Sequence, residues 1–173
     1  PDSCSKIFLK KIAKIEKFLL TIARAGANIQ SERDRQEDTK MTYYFDMDGT
    51  LADFHGAYTD HSDACRYSFI RGLRPFAANV ATMRKAIADG HKCYILSKAA
   101  NEDAKQAKID WLAEFIPELT AEQIIIIVGY GKKYEHMVEE GILIDDNAKE
   151  TRQWEKAGHA AILLTDKGAA ITL

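Results

Sequence analysis

From Met41 onward, short apolar, β-prone runs alternate with helical stretches, and several of the runs stop at a polar residue. Thr42 to Phe45 ends at Asp46, Lys92 to Leu96 ends at Ser97, and Gly141 to Ile144 ends at Asp145-Asp146. Ile124 to Val128 is continuously apolar and β-branched, as in a strand covered on both faces, and Ala160 to Leu164 supplies a fifth strand. Between them, Ala77 to Ala88 has helical spacing and stops at Asp89-Gly90. Asn101 can cap a helix through Trp111 to Phe115, and Thr120 to Gln123 has capping-box spacing. A short helix is expected around Tyr134 to Glu139 and another over Lys149 to Ala157. The alternation predicts an α/β fold: a mostly parallel sheet of about five strands with helices on both faces. Ligands of such sheets bind outside the carboxyl ends of the strands. Asp46, Ser97 and Asp145, far apart in sequence, should therefore face one another.

The residues before Met41 read differently. Phe8, Ile12, Ile15, Leu19 and Ile22 recur in steps of four and three, which puts them on one helical face. Such a helix can dock on the domain, pair with a second copy, form a short coiled coil or lie on a membrane surface. Gln30 to Lys40 is polar and reads as a linker, so residues 1–40 form an appendage and 41–173 the main domain. Lys10, Lys11, Lys14, Glu16 and Lys17 interrupt the apolar run, unlike a secretory signal. No apolar stretch reaches the roughly 20 residues that cross a bilayer. The three cysteines show no metal-type spacing and cannot all pair, which points to a reduced, cytoplasmic setting. Lys plus Arg (24) nearly balances Asp plus Glu (26), which argues against a nucleic-acid partner.

The polar strand ends suggest a chemistry. Asp46 and Asp48 lie one residue apart, with Gly49 permitting a tight backbone path and Thr50 able to bond locally. Two carboxylates this close repel unless a cation lies between them or one is protonated. Both solutions suit phosphoryl transfer, with Mg²⁺ taking oxygen ligands. Asp46 can attack phosphorus, and Asp48 can give a proton to the leaving oxygen and later take one from water. Asp145-Asp146 can complete the metal coordination or cap the following helix. Ser97 can donate to a phosphoryl oxygen. Lys132 or Lys133, after Gly129-Tyr130-Gly131, can place a charge on the phosphate, with Lys133 favoured.

In this order, Asp46-Met-Asp48-Gly49-Thr50, Leu96-Ser97, Lys132 or Lys133 and Asp145-Asp146 resemble the haloacid dehalogenase (HAD) phosphatases over residues 41 to about 165. The resemblance implies a three-layer Rossmann-like core, Mg²⁺ held by Asp46, Asp48, Asp145 and Asp146, and phosphate held by Ser97, the lysine, Gly49 and Thr50. Phe45 to Phe54, Leu73-Arg74-Pro75 and Leu143 to Asp146 are similar to the 5′(3′)-deoxyribonucleotidases, as is Tyr94-Ile-Leu-Ser-Lys98. That narrower likeness implies hydrolysis of nucleoside monophosphates, with Phe54 stacking on a base and Lys98 near the substrate. Asn147-Ala148 departs from the arginine-proline often seen there, and the cap insert, residues 53–74, is short. Its aromatic and basic residues suit either a lid over a nucleotide or packing on the core. His55, His61 and Cys65 lack a fourth ligand for zinc. The expectation is a Mg²⁺-dependent phosphomonoesterase. A phosphatase for a sugar phosphate or other small metabolite is the alternative, as is a catalytically weak binding module. The N-terminal helix allows a homo-oligomer.

Overall fold

The computed structural model describes residues 40–60 and 62–173. The proposed N-terminal helix and His61 lie outside the described residues. Five strands, β1 (Thr42–Phe45), β2 (Lys92–Ala99), β3 (Ile124–Val128), β4 (Ile142–Asp145) and β5 (Ala161–Leu163), form one sheet. Its order is β3-β2-β1-β4-β5, and every neighbouring pair is parallel. The helices are α1 (Phe54–Ala57), α2 (Tyr67–Arg71), α3 (Ala77–Ala88), α4 (Glu102–Phe115) and α5 (Ala148–Lys156), within the unit Met41–Leu173.

Strand alternation divides the core into two faces. Tyr43 and Phe45 join Met83 of α3 and Trp111 and Leu112 of α4 on one side. Tyr44 joins Leu96, Leu143 and Trp154 of α5 on the other. The result is the expected three-layer α/β arrangement. Its helix termini follow local rules. Asn101 Oδ1 accepts from Ala104 N at 2.8 Å to open α4, and Gly90, at φ +87°, ends the turn after α3. Thr120 N donates to Gln123 Oε1 at 2.9 Å in the single turn ahead of β3.

One sequence expectation, for β3, is met, and two shift. β3 is covered on both faces as expected, with Ile124 and Ile126 packed on one core and Ile125 and Ile127 on the other, although it lies at an edge of the sheet. A continuous apolar run is not enough to place a strand at the centre of a sheet. Ser97 lies inside β2, which runs on to Ala99 alongside Val128 of β3. The helix expected around Tyr134 to Glu139 is a 3-10 turn over Lys133–His136.

The order of the strands positions the site. From β1 the chain moves outward to β2 and β3, then crosses back to β4 and β5. The loops after β1 and β4 therefore diverge, leaving a crevice at the carboxyl ends of two adjacent strands. Asp46 N donates to Ile144 O at 2.9 Å, which continues the β1–β4 ladder to the mouth of that crevice.

The insert after β1 is built locally. Buried Asp63 accepts from Thr59 N and Thr59 Oγ1, both at 2.7 Å, and pairs with Arg66. These bonds hold its carboxyl down to about 2, so their contribution is present above about pH 4 and lost as the pH falls toward 2. Helix α2 is tied to α4 by Tyr67 Oη donating to Asp110 Oδ2 at 2.6 Å and by the Arg71–Glu114 ion pair. Trp111, fully buried under this junction, donates from Nε1 to Leu73 O at 2.8 Å. Trp111→Ala should lower unfolding stability by about 3–5 kcal/mol, read from the urea midpoint at constant m-value. A loss below 1 kcal/mol would mean that Trp111 is not part of the cooperative core.

Candidate active site

The crevice opens into a cleft of about 470 Å³ lined by Asp46, Asp48, Ser97, Lys133, Asp145 and Asp146, with Phe54, His55, Lys98 and Glu150 among its other walls. Asp46 follows the last residue of β1, and Asp145 is the last of β4. Lys133 Nζ lies between them, 2.5 Å from Asp46 Oδ1 and 2.7 Å from Asp145 Oδ2. All three are buried. Burial opposes the Lys133 charge, but the two carboxylates outweigh it and raise its pKa. Of the two neighbouring lysines, Lys133 is the one that lies in the cleft. Lys132 faces solvent and bonds Tyr134 Oη at 2.9 Å and Glu135 at 3.4 Å, away from the cleft.

Asp46, Asp145 and Asp146 offer carboxylate oxygens within 4.8 Å of one another, the only such acidic or His/Cys cluster among the described residues. The donors are all hard oxygens, which suits Mg²⁺ rather than zinc. Asp48 was expected to contribute its carboxylate to the metal but lies outside this cluster. Its Oδ2 instead accepts from Lys108 Nζ at 2.7 Å, and Lys108 also donates to Ser97 Oγ at 2.9 Å. The two carboxylates of the Asp-Met-Asp string thus each have their own lysine.

Gly49 and Thr50 do not line the cleft, contrary to their expected place against phosphate. Gly49 N donates to Ala52 O at 2.9 Å, and Thr50 is fully buried. Gly49 serves the site in another way. Its φ is +79°, and a Cβ there would lie 2.4 Å from Asp146 Oδ2, so only glycine lets that carboxylate reach the cluster. Asn79, buried on α3, holds the same turn by donating to Thr50 O at 2.8 Å and to Ala169 O at 2.9 Å.

Around Asp146, His55 Nε2 lies at 3.2 Å and Lys167 Nζ at 3.4 Å. His55, one of the residues weighed for zinc, turns to Asp146. The cap of α5 is Asn147, whose Oδ1 accepts from Lys149 N at 2.9 Å, while Asp145 Oδ1 accepts from Asn147 N at 2.8 Å. Asp145-Asp146 is thereby left to the cleft. Phe54 lines the cleft and also stacks on Tyr58 and packs edge-on against Phe69, so it is both wall and lid core. Lys98 lines the cleft and pairs with Glu150 Oε1 at 2.7 Å.

Lys108 and Asn79 were missed from the sequence. Lys108 had a signal: it falls on the apolar stripe Ala104, Ala107, Trp111 and Leu112 at helical spacing, where a lysine must find a buried partner. Asn79 had none, because a polar residue in the first turn of a helix is ordinary.

The sequence model of the family described as "5' nucleotidase, deoxy (Pyrimidine), cytosolic type C protein" matches residues 61–169, more than half of the chain. The chain belongs to this 5′-nucleotidase family. It is by that membership a phosphoric monoester hydrolase of the HAD superfamily. The matched segment holds Ser97, Lys108, Lys133, Asp145 and Asp146 and begins after Asp46 and Asp48. Among solved structures, the HAD domain of effector protein Lem4 from Legionella pneumophila aligns at a TM-score of 0.47 and 15% identity. The alignment covers 77% of this chain and 89% of that one. No curated protein matches the chain. No helix among the described residues is long and apolar enough to cross a membrane.

The 5′-nucleotidase cleft has an electrostatic consequence. Burial, then the neighbouring Asp46 charge, pushes the Asp145 carboxyl up from 3.8 to about 6, despite the opposing pull of Lys133. A folded-state pKa above the unfolded one means that the folded protein binds the proton more tightly. Stability from this group is therefore intact below about pH 4 and falls as the pH rises through 6. In EDTA, the denaturant midpoint of Asp145→Asn relative to the parent protein should climb between pH 4 and 6.5 and level off above. A flat difference across that range would refute the assignment of the raised pKa to Asp145.

Proposed function

We propose that this chain is a Mg²⁺-dependent phosphomonoesterase that hydrolyses nucleoside monophosphates through a phosphoaspartyl intermediate on Asp46. The observation that carries the reading is the convergence of Asp46, Asp145 and Asp146 with Lys133 and Ser97 at the switch point of the sheet. Family membership supports the reaction class, and the described family name supports a nucleotide substrate.

Asp46, Asp145 and Asp146 would hold the ion. When bound, Mg²⁺ would neutralise phosphoryl oxygens and the like charge of the three carboxylates. The remaining chemistry belongs to side chains. Lys133 places a fixed positive charge beside Asp46, where a substrate phosphate would enter. Ser97 Oγ accepts from Lys108, which leaves its own proton free for a phosphoryl oxygen. An Asp46 oxygen attacks phosphorus while the bond to the leaving oxygen breaks. Asp48 gives its proton to that oxygen, then takes one from the water that hydrolyses the aspartyl phosphate. Burial raises the Asp48 pKa, against the pull of Lys108, which favours the protonated form an acid needs.

Phe54 supports a flat leaving group. It borders both the main cleft and a second cavity of about 230 Å³, which Lys98, Ala64, Ile70 and Gly129 also line. Its ring stacks on Tyr58 and packs edge-on against Phe69, and a base stacked on such an aromatic gains about 1–3 kcal/mol.

Asp46→Asn should abolish turnover by several orders of magnitude with the thermal midpoint kept, and retained activity would remove Asp46 as nucleophile. A phosphate-release screen with Mg²⁺ over nucleoside monophosphates, sugar phosphates and a phosphopeptide decides the substrate class. Preference for nucleotides that weakens in Phe54→Ala is the expected result, and preference for sugar phosphates would favour the alternative. Saturating Mg²⁺ should raise the thermal midpoint of the parent protein and not that of Asp145→Asn, since binding only the folded state stabilises it. An equal rise in both would place the ion elsewhere.

A further inference from the structure

Lys108 is the one buried charged residue of α4, with its side chain 1% exposed. Burying an ammonium group costs several kcal/mol unless partners compensate it. The partners are Asp48 Oδ2 at 2.7 Å and Ser97 Oγ at 2.9 Å. Lys108 does not line the main cleft, where Lys133 stands, but does line the second cavity. Asp48 borders both spaces, whereas Asp46, Asp145 and Asp146 border only the main cleft. The ammonium group therefore reaches the cleft through Asp48 and Ser97 rather than directly.

We propose that Lys108 is a positioning residue: it draws the Asp48 carboxylate away from the three-carboxylate cluster and aims it at the leaving oxygen on the side of the second cavity. The proposal rests on the reading of Asp46 and Asp48 given above. In the step concerned, the bond from Asp46 oxygen to phosphorus forms, the bond from phosphorus to the leaving oxygen breaks, and the Asp48 proton passes to that oxygen. Lys108 keeps its protons throughout. Lys108 is the ion-pair partner of Asp48 among the described residues, and without it nothing there would hold the carboxylate apart from Asp46, Asp145 and Asp146. The Asp48 Oδ1 atom is buried with no hydrogen-bond partner among the described residues, so only the Oδ2 side fixes its direction.

The test exploits the leaving group. An alkyl phosphate needs a proton as its P–O bond breaks, whereas p-nitrophenyl phosphate departs as a stable phenolate and needs little help. In Lys108→Met, kcat/KM for the alkyl ester should fall at least about tenfold further than for the aryl ester, in the range a general acid contributes. Inhibition by inorganic phosphate and the Mg²⁺-induced rise in thermal midpoint should be kept. Lys108→Arg, which preserves a donor to Asp48, should restore part of the alkyl ester rate; it also stands in if the methionine variant does not fold. Equal losses on both esters, or weaker inhibition by phosphate, would overturn the proposal and make Lys108 a phosphate ligand or a purely structural group. Parent protein that turns over neither ester would instead overturn the phosphatase reading beneath it.

Discussion

Lys133 spans the ends of β1 and β4, and the site depends on that bridge. Parallel neighbours in a sheet lie about 4.8 Å apart, so carboxylates at adjacent strand ends are forced together by the backbone. The Asp46–Ile144 hydrogen bond fixes the spacing. Asp46 and Asp145 are both buried there, and removing the single ammonium between them would leave two unpaired anions in a low-dielectric crevice. The same bridge keeps the two carboxylates aimed into the cleft, where Asp146 can join them because Gly49 has no side chain. The sheet thus sets the positions of charge, and one lysine makes them tolerable.

The need for a cation beside Asp46 and Asp48, or a proton on one of them, was legible from two carboxylates one residue apart. How it is met was not. The Asp-Met-Asp string leaves the strand around fully buried Met47, and its two carboxylates turn to different lysines, Lys133 and Lys108. Each lysine comes from a distant segment, and nothing local in residues 45–51 tells which. Apolar runs and their polar ends disclosed the strands and the meeting of Asp46, Ser97 and Asp145, because those depend on periodicity and on a rule about parallel sheets. Strand order did not follow from periodicity: the apolar run Ile124 to Val128 told that both faces are covered, not that the strand lies at an edge. Gly49 and Thr50 were placed by motif alone, and their backbone bonds within the turn take them out of the cleft.

Helix α4 joins the insert to the second cavity. Its outward residues Asp110 and Glu114 hold α2 of the insert, and its buried face carries Lys108 and Trp111. Trp111 in turn bonds the backbone of Leu73, where the insert rejoins the core. The insert needs little core of its own, since Asp63 organises it through hydrogen bonds to Thr59 and the pair with Arg66. A short insert can then still be held in place on the core. On the proposed reading, the phosphate side is framed by strand ends and the leaving-group side by one helix. A change in α4 should therefore alter which esters are accepted before it alters how phosphate is held, whereas a change at the β1–β4 edge should do the reverse.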